Sequence, residues 1–278
     1  MKIKILLLIS LLSVSLFSTV KVKPCTPVKN IPEHLRAYDH GENLVYVINY
    51  RWGVINTDVG EAAVNLEKKK HPNGEEYFHS VITGITYRFY DVFFKVRDLF
   101  ESKFSTKNGR PFYFHRDIHE GKYTMKNTFY FQPDYTIKAK VERKSDPVID
   151  TVLVGRECTF DLVSLFYFSR NIDFSNIPAG IEQPISFAID NEVFELYYRL
   201  IGPEIKRIPG LGQFRTLKFA ARVVAGEVFS GKEELIIWVT DDRNRVPLMF
   251  ETPIKMGRVI GRLSSFKNLK HPLISKIS

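Results

Sequence analysis

The stretch His115-Arg116-Asp117-Ile118-His119-Glu120 comes nearest to a reactive site. On an extended strand His115, Asp117 and His119 fall at i, i+2 and i+4 and share one face. Two imidazoles and a carboxylate so placed are a donor set for a divalent metal with open coordination positions. A metal-dependent envelope enzyme would begin there. The same spacing describes a solvated strand face with Phe112, Phe114 and Ile118 on the opposite side, and this plainer reading is preferred.

Asp241-Asp242-Arg243-Asn244-Arg245 offers paired carboxylates, which can serve acid–base chemistry. It lacks the glycine and the distal glutamate of a calcium loop. Asp and Asn bond their own backbone in tight turns, so a charged hairpin turn is expected. Pro209-Gly210-Leu211-Gly212 completes no phosphate-binding pattern and reads as a turn before a strand. With no GxSxG, HExxH or paired CxxC pattern, the chain is read as a non-enzyme without a cofactor.

Cys25 and Cys158 have no adjacent histidine, so thiol catalysis is not expected. Cys25 follows Val22-Lys23-Pro24 and lacks the small preceding residue of a lipoprotein cysteine. The basic start Met1 to Lys4, the apolar run Ile5 to Phe17 and the first acid at Glu33 fit a signal peptide over residues 1–19. That run is shorter than the ~20 residues of a membrane-spanning helix. Export to the periplasm or envelope makes a Cys25–Cys158 disulfide chemically permissible, and two separate thiols remain the other reading.

The chain carries 40 Lys+Arg against 31 Asp+Glu, a net +9, which falls by two to +7 without Lys2 and Lys4. Positive charge is dispersed, apart from Lys68-Lys69-Lys70-His71 beside the turn Pro72-Asn73-Gly74, a solvated hairpin tip. No nucleic-acid partner is expected, and peripheral contact with an anionic membrane surface stays open. The oligomeric state is not legible.

Strands must position these residues. The 22 Phe and 13 Tyr stand against nine Ala, a balance that favours pleated surfaces over helices. From Glu42 the dominant period is two. Strands are expected at Leu44–Tyr50, Val59–Glu67, Tyr77–Thr86, Lys95–Ser105, Phe112–Ile118, Tyr123–Phe131 and Thr136–Glu142. After the middle they resume at Ile185–Ile189, Val193–Leu200, Leu217–Ala225, Glu234–Thr240, Leu248–Glu251 and Val259–Phe266. Two segments carry helical spacing: Tyr87 to Phe94, and Asp161 to Asn171 with Asp161 as cap. The fold expected is a single mainly β domain over 36–273, a strongly curved antiparallel sheet, open barrel or sandwich with one or two short helices. Residues 20–35 form an N-terminal extension and 274–278 a tail.

The opening strand with Trp52-Gly53 and Gly60, then Phe93-Phe94-Lys95-Val96-Arg97-Asp98 and Glu101-Ser102, carries a resemblance. So do Arg116, Glu120-Gly121, Tyr123, Asp161-Leu162-Val163-Ser164-Leu165 and Arg170. The C-terminal set is Gly212, Phe214, Thr216, Lys218, Ile237-Trp238-Val239, Asp241 to Pro247, and Gly257. From about Glu42 to Leu273 the chain resembles the bacterial domain-of-unknown-function family 3108, in its exported Bacteroidetes-type form. Leu162 stands where that family tends to have proline. The resemblance implies no activity. At fold level alone it implies a curved sheet similar to envelope lipid carriers of the lipoprotein-carrier type.

The aromatic segments Tyr87 to Phe94 and Phe166 to Phe168 pack a core or line the concave face of such a sheet. On the second reading the protein is a non-catalytic envelope binder of an apolar or amphipathic, lipid-like ligand. Phe93, Phe94, Phe166, Phe168 and Trp238 would contact the ligand, while Arg97 and Arg170 would meet an anionic head group. A scaffold docking a protein partner along its strand edges is the alternative, besides the metal enzyme.

Overall fold

Alternation along the first half of the chain becomes a set of rungs once the strands pair. In the computed structural model, which describes residues 25–144, 146–223, 234–254 and 256–277, eight strands follow one another in an antiparallel meander. They are β1 (Asn43–Trp52), β2 (Ile55–Lys70), β3 (Glu76–Thr86), β4 (Arg97–Ser105), β5 (Pro111–Glu120), β6 (Tyr123–Phe131), β7 (Thr136–Arg143) and β8 (Ile149–Val154). One rung runs Leu66–Ser80–Ser102–Phe114–Phe129–Ala139–Thr151 across β2 to β8. Side chains directly opposite share a face, so these positions all look toward the interior. The expected signal peptide lies outside the described residues.

The chain then crosses to the far edge through β9 (Thr159–Phe160) and a helix, α2 (Leu162–Ser169). A second antiparallel meander returns inward: β10 (Gln183–Ile189), β11 (Glu192–Ile208), β12 (Gly212–Val223), β13 (Leu235–Thr240), β14 (Pro247–Pro253) and β15 (Arg258–Lys267). Pairing of β15 with β1 joins the two meanders into one sheet, and β9 adds to β10 as a short parallel strand. Among the described residues the sheet is not closed by hydrogen bonds, since its path ends at β8 and β9. It is nevertheless strongly curved. The Asp190-Asn191 turn between β10 and β11 crosses the concave side, where Asp190 pairs with Arg116 and its carbonyl accepts from Asn127 Nδ2 at 3.3 Å. The fold is thus the expected mainly β, open, curved antiparallel sheet.

The expected strands are present, most of them longer than the sequence indicated. β11 runs through Gly202-Pro203 with a slip in register rather than ending at Leu200. The strands β8, β9 and β16 (Lys276–Ile277) were not anticipated. β16 pairs with β12 and so brings the C-terminal tail into the sheet. The last two residues of the expected strand Leu217–Ala225 lie outside the described residues.

α2 lies inside the curve because the sheet leaves room for it. Ser80 and Ser102 are small and sit where the same rung elsewhere carries Phe114 and Phe129. Ser102 Oγ donates to Asp161 Oδ2 at 2.7 Å, and Ser80 Oγ donates to the Tyr167 hydroxyl at 3.4 Å. Asp161 also caps the helix, accepting from the Val163 and Ser164 amides at 2.8 and 2.9 Å, so Leu162 does not impair the cap. Around the helix, Tyr38 packs edge-on to Phe78 and Tyr167, with centroids 5.4 and 4.7 Å apart, and Phe104 stacks on Tyr167. All four rings are fully buried, and each such side chain contributes roughly 1.5–3 kcal/mol of hydrophobic stabilisation.

Candidate functional site

The concave face proposed from the sequence as a ligand site is occupied by the protein's own side chains. Phe168 is buried and stacks on Phe160 at 4.3 Å, and Phe166 packs against Tyr167. Arg170 does not await a head group: it is buried and bonds both carboxylate oxygens of Glu42, at 2.6 and 2.8 Å. Trp238 stands on the opposite side of β13 from Ile237, beneath Lys206 and Lys218, whose ammonium groups lie 3.8 and 5.2 Å from its ring. These residues are core and covered surface, and they do not converge on one ligand.

His115, Asp117 and His119 share the outer face of β5, with Phe114, Arg116 and Ile118 turned inward and buried. Each is already engaged. His115 Nδ1 meets Thr128 Oγ1 at 3.0 Å, His119 Nε2 pairs with Asp117 at 2.9 Å, and Asp117 pairs with Lys126 at 3.0 Å. Among the described residues no three His, Cys, Asp or Glu side chains are placed to hold a metal ion. Asp241 to Arg245 forms the turn between β13 and β14, where Asp242 accepts from the Asn244 amide and Thr240 Oγ1. Cys25 and Cys158 form a disulfide, with Cα atoms 5.8 Å apart.

Phe93, Phe94 and Arg97 are the members of the predicted set that do stand together, at one end of the sheet. Between β3 and β4 the chain forms a second helix, α1 (Arg88–Phe94). Its polar side is tied down. Arg97 bonds both oxygens of Asp91 at 3.0 and 2.6 Å, Thr86 Oγ1 donates to the same carboxylate, and Tyr90 OH meets Thr57 Oγ1 on β2. Arg97 and Thr86 together hold the Asp91 carboxyl below its usual range. The apolar side is left facing outward: Phe89, Val92, Phe93 and Phe94 are 70%, 84%, 75% and 54% exposed. A seven-residue helix without a buried residue contributes little to the core, so its apolar composition requires another reason.

The strand register brings further apolar tips to the same end. Trp52 pairs with Ile55 at the β1–β2 turn, Pro253 with Arg258 at the β14–β15 turn, and Arg51 with Arg258 between them. Trp52, Val54, Ile55, Ile254 and Met256 are all exposed there. Tyr50 OH donates to the Met256 carbonyl at 2.8 Å, and the glycine that follows lies against Trp52. On the other side of α1, the β5–β6 turn places Gly121 under the Phe94 ring and leaves Tyr123 exposed. Arg51, Arg88, Lys95 and Lys122 stand exposed on this rim, and none is in an ion pair among the described residues.

At the foot of α1 a solvent-open depression of about 400 Å³ is lined by Lys95, Arg97, His119 and Gly121. Asp98 lies behind it and accepts from the His119 amide at 3.0 Å. Burial pushes its carboxyl up to about 6, with the Glu120 carboxylate adding to the effect. The sequence reading missed Trp52, Val54 and Met256 as site residues and named Phe89 only as part of the aromatic segment Tyr87 to Phe94. The available signal was an apolar Trp-Gly-Val-Ile tip where a hairpin turn ordinarily carries polar residues.

The fold is similar to that of a beta-barrel-like protein of domain of unknown function DUF1849 from Brucella abortus, with a TM-score of 0.56 and 8% identity. That likeness covers 84% of this chain and all of the other. A protein from Bacteroides fragilis, described as exported and having a YmcC-like fold, matches at a TM-score of 0.36 and 8% identity, over 87% of this chain and all of its own. A protein from Parabacteroides distasonis described as a lipoprotein matches at 0.34 and 9% identity, over 84% of this chain and 98% of its own. No match was found among curated proteins. Residues 45–264, from β1 to β15, match the protein family of unknown function DUF3108, and the chain belongs to that family.

Proposed function

We propose that this chain is a non-catalytic binding protein of the cell envelope, and that its apolar or amphipathic, lipid-like ligand is met at the α1 end of the sheet. The observation that carries the reading is the outward display of Phe89, Val92, Phe93 and Phe94 on a helix whose polar side is anchored by Arg97 and Asp91. Large exposed apolar patches on folded proteins mark surfaces that meet a partner. On this reading Phe93 and Phe94 still meet the ligand, at the end of the sheet rather than on its concave face. Arg97 holds α1 through Asp91 instead of meeting a head group, and α2 fills the interior. The envelope address rests on the signal-like N-terminus. The non-catalytic reading rests on the missing nucleophile motifs and on the engaged state of His115, Asp117 and His119.

Fluorescence tests this directly, because one of the two tryptophans, Trp52, sits on the rim while Trp238 is buried. Titration with a monomeric single-chain phospholipid is expected to shift Trp52 emission to the blue, and Phe93→Ser/Phe94→Ser is expected to abolish the shift. No response in the unaltered protein, together with no lipid-sized mass in native mass spectrometry, removes the reading. A protein-docking scaffold would share the packed interior but would leave this titration flat.

A further inference from the structure

We infer that the α1 end is a membrane-docking rim, whose partner is the surface of a lipid bilayer containing anionic lipids; this rests on the lipid-like reading above and names the form in which the lipid is met.

Shape is the first argument. Carrying a lipid as enclosed cargo needs a concave site that covers most of its surface, whereas contact between exposed rings and an acyl chain does not. Here the exposed apolar residues stand on separate projecting connections: the β1–β2 turn, α1, the β14–β15 turn and the β5–β6 turn. The depression at the foot of α1 is lined by Lys95, Arg97, His119 and Gly121, none of which has a purely aliphatic or phenyl side chain. Several short apolar prongs at one end of a sheet suit a soft interface that closes around each of them.

Charge is the second. Four of the aromatic tips have a cation beside them in the chain, Arg51 with Trp52, Arg88 with Phe89, Lys95 with Phe94 and Lys122 with Tyr123, while Phe93 lies between Val92 and Phe94. These four cations are exposed and make no ion pair among the described residues. Two other arginines at this end are paired, Arg97 with Asp91, which holds α1 in place, and Arg258 with Glu251 on the neighbouring strand. Aromatic rings at headgroup depth with Lys and Arg reaching to phosphates is the arrangement that interfaces favour. A hydrophobic protein partner would explain the prongs but not the recurring unpaired cation beside them.

Co-sedimentation with vesicles tests the inference. The exported protein purified from its host is mixed with pure phosphatidylcholine vesicles or with vesicles that also contain phosphatidylglycerol. Binding is expected to the anionic vesicles and to fall with salt. Phe89→Ser/Phe93→Ser is expected to weaken it at least tenfold, these rings being exposed in the free protein. Arg88→Gln/Lys95→Gln is expected to weaken it roughly 25-fold, about fivefold per cation, on the anionic vesicles only. Equal binding to both compositions, or binding that neither variant alters, overturns the inference. So does a response to monomeric lipid with no vesicle binding, which would leave the proposed function standing. Dimerisation abolished by Phe89→Ser/Phe93→Ser would also overturn it, assigning the rim to a second copy. Silence in both the titration and the vesicle assay removes both readings together.

Discussion

The guanidinium of Arg170, which closes α2, grips both carboxylate oxygens of Glu42, the residue before β1, with both side chains fully buried. The grip is supported on every side. Arg170 also donates to the Asn244 carbonyl at 3.1 and 3.0 Å, and it lies 5.3 and 5.7 Å from the Tyr38 and Tyr167 rings. Burial works against the guanidinium's charge, but the facing carboxylate outweighs it and raises Arg170 above the ordinary arginine range. One ion pair therefore ties the interior helix to the centre of the sheet and to the β13–β14 turn. Glu42→Gln leaves a buried charge without its counterion, and a loss of about 3–5 kcal/mol is expected from urea unfolding. A loss below about 1 kcal/mol would mean that the neighbouring carbonyls suffice.

The Cys25–Cys158 disulfide fastens the N-terminal segment to the residue before β9 across 133 positions. The segment continues along β10, where the Thr26 amide donates to the Pro184 carbonyl at 2.9 Å. It thereby covers a sheet edge that would otherwise offer unpaired backbone groups. Closing so long a loop restricts the unfolded chain, and Cys25→Ser/Cys158→Ser is expected to lower stability by about 4–5 kcal/mol. The same loss should appear in the native sequence under reducing agent. If the serine variant loses stability and the reduced protein does not, packing of the sulfurs rather than the cross-link is responsible.

What was legible in the sequence follows a physical boundary between local and distant pairing. Alternation at Phe78, Ser80 and Ile82 marks β3, Asp161 announces its own helix cap, and Asp190-Asn191 supplies the hairpin turn, all from neighbours in the chain. No local pattern links Arg170 to Glu42, 128 residues away, so in the sequence alone Arg170 looks like a cation free to meet a head group. The two Phe-rich segments look alike as strings, yet α2 is buried and α1 is exposed. What separates them is the pair of small residues, Ser80 and Ser102, that make a seat for α2 on the inner rung. Gly202-Pro203 signals a break in the sequence, whereas β11 absorbs it by slipping register. Likewise the rim became visible only when strand pairing brought Trp52, α1 and Met256 to one end.

Asp98 makes the protein's stability depend on pH in a direction opposite to most surface carboxylates. Its folded value is raised to about 6, chiefly by burial, against about 3.9 when unfolded. Between those values the folded state holds the proton more tightly, so this residue's contribution is fully present below about pH 4 and is lost as pH rises through about 6. Asp98→Asn keeps an oxygen to accept from the His119 amide and removes the charge. The variant is expected to be more stable than the native protein at pH 8, on the order of 1 kcal/mol once half-exposure is discounted. The difference should vanish by pH 4. Paired urea titrations at the two pH values check this, and an advantage that persists in acid would assign it to something other than the proton.

Gly257 shows how the rim is kept in shape. Its φ is +87°, and a Cβ there would collide with the Arg51 carbonyl oxygen and stand 2.9 Å from Trp52 Cβ. Neither is the free end of a flexible side chain, so the β14–β15 turn would have to move. Gly74 provides the control, with φ +86° in the β2–β3 turn and nothing within 4 Å of its added Cβ. Gly74→Ala is expected to cost about 1 kcal/mol, from the left-handed backbone alone. Gly257→Ala is expected to cost about 2–4 kcal/mol, because the collision adds to the backbone strain. Only Gly257→Ala should also alter Trp52 emission, since only there does the displaced backbone touch that ring's own residue. Equal losses in urea, or an unchanged Trp52 spectrum, would show that the close approach of Gly257 to Trp52 does not set the rim's geometry.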